Sequence, residues 1–148
     1  MAEVYGNIAP GTVVDSHIAA GANLAASKLQ HQYEKTFGQP LTAATSETRV
    51  IHVCKGAVGE VVAFKAGSIG VAAGNATVTV DLKKNGASIL TAVITLDNAN
   101  TTYIAEDAAL SFTALAAGDV LSVTTVATIG TGTLPTGVFA EAVLRENP

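Results

Sequence analysis

Residues 76–96, Ala-Thr-Val-Thr-Val-Asp-Leu-Lys-Lys-Asn-Gly-Ala-Ser-Ile-Leu-Thr-Ala-Val-Ile-Thr-Leu, narrow the possible folds of this chain more than any other stretch. Val78, Val80 and Leu82 fall on one side, with Thr77, Thr79 and Asp81 on the other. That period of two belongs to a strand with one buried face. Lys84-Asn85-Gly86 then turns the chain back. In an unbroken hairpin, a two-residue Asn85-Gly86 turn sets Val80 against Thr91 and mixes polar with apolar faces. A three-residue loop with Gly86 in the left-handed conformation sets Val80 against Leu90, Val78 against Ala92, Ala76 against Ile94 and Thr79 against Thr91. Face parity favours this second register, and the hairpin is expected to be scaffold rather than a site of chemistry.

A half-apolar hairpin needs a second sheet to cover it, and the flanking sequence offers one. Residues 49–54, 60–66, 101–104, 110–115, 120–129 and 138–145 read as further strands. Turn signals separate them: residues 56–59, the Gly-rich 67–75, residues 97–100, Ala116-Ala-Gly-Asp119 and residues 130–137. Without a helix between strands there is no crossover for a parallel sheet, so an all-β antiparallel sandwich or barrel over residues 41–148 is expected.

Residues 1–40 differ in character and read as an N-terminal arm. Ile8, Val13, Val14, Ile18, Leu24 and Leu29 are isolated aliphatics among small residues and turn formers. Such a segment has too little apolar surface to fold on itself. Two forms are open: a short helix over residues 24–35, capped by Asn23 with Ala22, Ala26, Leu29 and Tyr33 on one stripe, or an extended arm ordered by a neighbouring subunit.

Only 14% of the chain is charged, against about 25% in an average soluble protein, while 49% is hydrophobic and the net charge is −4. A surface so weakly charged favours association, and a homo-oligomer or shell component is expected. Eight Lys and Arg spread along the chain make no basic stripe, so no nucleic-acid partner is expected. No signal-peptide pattern or membrane-length apolar run is present, so a soluble, non-secreted protein without a membrane partner is expected. The single cysteine, Cys54, reads as a small buried hydrophobe.

Reactive constellations are scarce. His17, His31 and His52 lack metal-ligand spacing, and His52, between Ile51 and Val53, reads as an exposed or sheet-face histidine. Glu106-Asp107 and Asp119 form no dyad; a divalent cation at Asp97, Glu106 or Asp107 stays open without a calcium-loop pattern. No nucleophile elbow, phosphate loop or dinucleotide fingerprint occurs, so no enzyme, cofactor or metal centre is expected. With no Trp and with Tyr5, Tyr33 and Tyr103 dispersed, a sugar-stacking platform has few components, while Phe37, Phe64, Phe112 and Phe139 read as core or interface packing.

The order Thr77-Val-Thr-Val-Asp-Leu-Lys-Lys-Asn-Gly86, Ile89-Leu90, Ile94-Thr-Leu96 and Leu115-Ala-Ala-Gly-Asp-Val-Leu121 resembles the jelly-roll head and decoration domains of tailed-phage virion proteins. Ile18-Ala-Ala-Gly-Ala-Asn-Leu-Ala-Ala-Ser-Lys-Leu29 is similar to segments that precede such domains in phage tail-fibre and head-fibre proteins. The resemblance implies a jelly-roll-like β-sandwich on the virion surface, assembled in the host cytoplasm and typically a homotrimer. Its arm, through Ile8, Val13, Val14, Ile18, Leu24 and Leu29, would bind the major capsid protein or other virion subunits. A carbohydrate- or receptor-binding sandwich module is the alternative.

Overall fold

The computed structural model describes residues 31–147. Their strands form two antiparallel sheets around one hydrophobic core. In the first sheet β1 (His31–Gly38) pairs with β10 (Thr136–Asn147), and β10 with β3 (Val58–Gly70). Both β7 (Ala105–Asp107) and β8 (Ala114–Ala116) line the far edge of β3. The second sheet runs β2 (Glu47–Val53), β9 (Val120–Thr128), β4 (Thr77–Lys84), with β5 (Ala87–Ser88) and β6 (Ile94–Leu96) on the far edge of β4.

The core follows from alternation. Val78, Val80 and Leu82 of β4 and Leu121 and Val123 of β9 point inward from the second sheet, and all are fully buried. Val138, Ala140, Ala142 and Leu144 of β10 and Val61, Phe64 and Ala66 of β3 meet them from the first. Each buried Val or Leu contributes about 1.5–3 kcal/mol relative to exposure. On β3, Val143 pairs with Ala63 and Leu144 with Val61, so Val62 is an unpaired bulge residue. The bulge lets Val61 and Phe64 share the inner face, where simple alternation would separate them.

The hairpin register differs from the expected one. Asn85 and Gly86 both have positive φ, 51° and 86°, which makes a two-residue turn of the primed type that matches strand twist. Lys84 therefore pairs with Ala87 and Lys83 with Ser88. The Ile89 amide still donates to the Leu82 carbonyl, after which the return arm leaves the ladder over residues 90–93 and rejoins it with Val80 opposite Ile94, Thr79 opposite Thr95 and Val78 opposite Leu96. Parity is restored by this excursion rather than by a longer turn. It also buries both Ile89 and Leu90, the latter bridging to Leu110.

Other expectations shift in similar ways. His31–Gly38 is a strand paired along its whole length with β10, so residues 31–35 are not helical and the sheet includes residues assigned to the arm. Residues 1–30, with Ile8, Val13, Val14, Ile18, Leu24 and Leu29, lie outside the described residues. Residues 67–70 extend β3 instead of opening a loop, and residues 101–104 form a turn ahead of β7.

Two turn motifs prove to be one structural unit. The Asn85 side chain donates to Asp119 Oδ1 at 2.7 Å and accepts from the Val120 amide at 2.8 Å, while the Asn85 amide donates to the Val120 carbonyl at 2.8 Å. Asp119 Oδ2 accepts from the Ala116 amide at 2.9 Å and lies 3.3 Å from Lys84 Nζ. The Ala116 backbone amide and then the Asn85 side chain hold the Asp119 carboxyl below the usual carboxylate range. Asn85→Ala loses these side-chain bonds and places a Cβ-bearing residue without them in the left-handed region, so it is expected to cost about 2 kcal/mol in chemical denaturation. Asn85→Gly, which keeps the turn, is expected to cost less; equal losses would show that backbone conformation contributes nothing here.

Candidate functional site

At one end of the sandwich a carboxylate points into the space between the sheets. Glu146 belongs to the inward series of β10 that begins with Val138, yet here the series ends in a charge whose side chain is only 10% exposed. Burying a carboxylate is costly unless hydrogen-bond donors replace the lost water. Three surround it. Tyr33 comes from β1, His52 from β2, and Cys54 from just beyond β2.

The geometry is tight. His52 Nε2 lies 2.9 Å from Glu146 Oε1 and 3.0 Å from the Tyr33 hydroxyl, with the two rings edge to face at a centroid distance of 5.5 Å. Because an ionised carboxylate only accepts, His52 Nε2–H donates to Glu146 Oε1, and the Tyr33 hydroxyl and the Cys54 thiol are the further donors beside the group. Burial pushes the Glu146 carboxyl upward, but the bonds from Tyr33, His52 and Cys54 outweigh it and hold the group below its ordinary value. Burial and the Glu146 carboxylate push the Tyr33 hydroxyl well above its usual range. The same two causes push the Cys54 thiol up to about 12. Cys54 is thus a neutral thiol at physiological pH, unlike the depressed thiols that act as nucleophiles.

His52 reaches this place through a backbone irregularity. Val50 pairs with Ser122 and His52 with Leu121, so Ile51 is an extra residue that bulges from β2. The bulge puts His52 on the inward side with Leu121, its side chain only 12% exposed, and leaves Val53 exposed. The expectation of an exposed or sheet-face histidine is corrected accordingly: a one-residue bulge reverses facing, and nothing in Arg49-Val-Ile-His-Val marks where it falls. Cys54 is buried, as its small size suggests, but its thiol lies within 4.8 Å of the Glu146 carboxylate rather than among hydrophobes alone.

Two clefts open onto this cluster. One is lined by Tyr33, His52 and Glu146 with Lys35, Val50 and Lys55, and the other by His31, Tyr33, Lys55, Gly56 and Glu146. Away from it, Asp97 accepts from the Ala99 amide at 2.8 Å, and Glu106 of β7 accepts from the Asn100 side chain. Phe37 and Phe64 are core residues, whereas Phe112 is half exposed beneath Lys84 Nζ, 4.2 Å from its ring centre.

No protein-family model matches the chain, and no curated protein is similar to it.

The folded value of Glu146 lies below its unfolded one, so its stabilisation is complete above the unfolded pKa of about 4.3 and is lost as pH falls through the folded value. Glu146→Gln is therefore expected to cost about 1–3 kcal/mol at neutral pH. The cost is expected to shrink as unfolding is measured at successively lower pH towards 3. A cost that stays constant or grows on acidification would contradict this assignment.

Proposed function

We propose that this protein is a non-enzymatic structural component of a virion, a capsid decoration or fibre subunit that forms homo-oligomers, most simply trimers, through the outer face of its second sheet. The observation that carries the assembly reading is the contrast between the two outer faces. On the first sheet, outward residues of adjacent strands are ion-paired: Lys65 Nζ with Glu141 Oε1 at 3.0 Å and Arg145 Nη1 with Glu60 Oε1 at 2.9 Å, with Gln32 beside Arg145. Such a face is suited to water.

The second sheet presents Thr48 and Val50 from β2, Thr124 and Val126 from β9, Thr77 and Thr79 from β4, and Thr95 from β6. Thr48 and Thr124 hydrogen-bond across strands at 3.0 Å, Val50 is 57% exposed and Val126 is 50% exposed. Asp81 and Lys83 share the facing of Thr77 and Thr79 at one end of β4. A broad face of short uncharged side chains suits subunit contact, where charge is depleted at the buried centre.

The strand order supports a jelly-roll reading. β1 pairs with β10, β2 with β9, β3 with β7 and β8, and β4 with β5 and β6, and successive strands β1 to β4 alternate between sheets. Nested pairing of this kind is that of an antiparallel ladder rolled into two sheets, an architecture found among viral capsid domains as well as lectins and cupins. Assignment to a virion rests further on the resemblance of the turn motifs and of residues 18–29 to phage virion proteins, and fold alone does not carry it. In this reading the N-terminal arm binds the shell through Ile8, Val13, Val14, Ile18, Leu24 and Leu29, and several weak arm contacts on one oligomer add up through effective concentration.

Sugar or receptor binding is the weaker alternative, because the exposed aromatics are far apart. Tyr103 hangs on Ser68 at one end of β3, and Phe112 adjoins Thr113, which bonds Val61 near the other. At about 3.3 Å per residue these anchor points lie roughly 20 Å apart, too far for one stacking platform.

Val50→Lys and Val126→Lys place charge on the proposed contact face, whereas Val58→Lys alters an exposed valine of the first sheet. Sedimentation velocity is expected to show the first two variants shifted to monomer while the third keeps the wild-type assembly. Dissociation by Val58→Lys alone would place the contact elsewhere.

A further inference from the structure

The cluster at Glu146 lies between the two sheets, and its donor set points to a second role. We propose that His52, Cys54 and Glu146 form a binding site for a divalent metal ion of the zinc type. The imidazole, thiol and carboxylate ligand atoms all lie within 4.8 Å of one another. His52 Nε2 and Glu146 Oε1, the closest measured pair, are 2.9 Å apart. Zinc bonds of about 2.0–2.3 Å in tetrahedral array separate the donors by roughly 3.3–3.8 Å. The widest separation therefore has to close by no more than about 1 Å, and the closest to open by about 0.5 Å, to meet that geometry.

Placement favours the same conclusion. The three residues come from two sheets, the His52–Glu146 contact spans 94 residues of chain, and the Ile51 bulge is what turns the imidazole inward. A bulge beside a converging set of polar side chains is a recurrent device for aiming a functional group. Softness selects the ion: one sulfur, one imidazole nitrogen and one carboxylate oxygen suit zinc and its neighbours in the transition series rather than magnesium or calcium, which take oxygen ligands throughout.

Cys54 lies behind His52 and Glu146, which line the cleft, so an ion enters past the imidazole and the carboxylate. On binding, the Cys54 thiol proton leaves to solvent and Sγ binds as thiolate. His52 Nε2 exchanges its proton to Nδ1 so that its lone pair faces the ion, and Glu146 exchanges its hydrogen bonds for a metal–oxygen bond. Three protein ligands leave a fourth position for water or a ligand from outside, and the cleft lined by Tyr33, His52 and Glu146 gives access to it.

Cobalt(II) added to the metal-free full-length protein is the direct probe, because a thiolate ligand produces an intense ultraviolet charge-transfer band and tetrahedral cobalt gives strong visible absorption. One equivalent is expected to produce both signals, and zinc is expected to displace them. Cys54→Ser is expected to abolish the charge-transfer band, and Glu146→Gln to weaken binding by roughly 10- to 100-fold, scaled from the losses seen for outer partners of metal ligands. Circular dichroism checks each variant's fold. Should Glu146→Gln not fold, the wild-type and Cys54→Ser spectra decide the question, and should neither variant fold, protection of wild-type Cys54 from alkylation by zinc replaces them. Absence of binding by wild-type protein, a charge-transfer band unchanged in folded Cys54→Ser, or alkylation unaffected by zinc would overturn the proposal.

Discussion

Strands with one apolar face can hide it only against another such face, and the rest of this structure depends on that constraint. Val78, Val80 and Leu82 on one sheet and Ala140, Ala142 and Leu144 on the other are wholly or nearly buried because each strand alternates in phase with its neighbours. A slip of one residue would exchange the inner and outer faces of a whole strand. Register is therefore defended wherever it is at risk. The Asn85–Asp119 bonds fasten the ends of β4 and β9, and the bulges at Val62 and Ile51 shift phase only where a particular side chain has to face inward.

The same alternation explains why the exceptions stand out. Glu146 occupies an inward position where the pattern asks for an apolar residue, and it is tolerated because three donors from β1 and the end of β2 converge on it. A hydrophobic residue there would need none of them. Retaining a carboxylate among a phenol, an imidazole and a thiol thus sets this end of the sandwich apart from the remainder of the core, and it ties the two sheets together through polar bonds as well as packing.

Alternation along β4 and the Gly118-Asp119 turn were readable from sequence because the signals are local: Thr77, Val78, Thr79 and Val80 trade faces residue by residue, and Gly118 takes the positive φ that its turn requires. What escaped was non-local. Residues 31–38 look like the end of an arm, since His31, Gln32, Glu34 and Lys35 are polar, and only pairing with β10 makes them a strand. A two-residue Asn85-Gly86 turn fits the face pattern poorly if the return arm is continuous, and the departure of residues 90–93 from the ladder has no turn-forming residue to announce it. The Tyr33–His52–Cys54–Glu146 cluster was hidden for the same reason, its members lying far apart in sequence and meeting only when both sheets are in place. His52 and Cys54 on one side of a strand were the available hint.

Outward, the two sheets differ in chemistry: ion pairs on one, threonine and valine on the other. Since the core leaves both outer faces free of packing duties, that difference is available for function, and it is the basis for assigning one face to water and the other to subunit contact. Light scattering of the full-length protein over a wide concentration range tests this most directly. The account predicts a mass three times that of the 14.9 kDa chain, held on dilution. A mass of one chain at every concentration would contradict it.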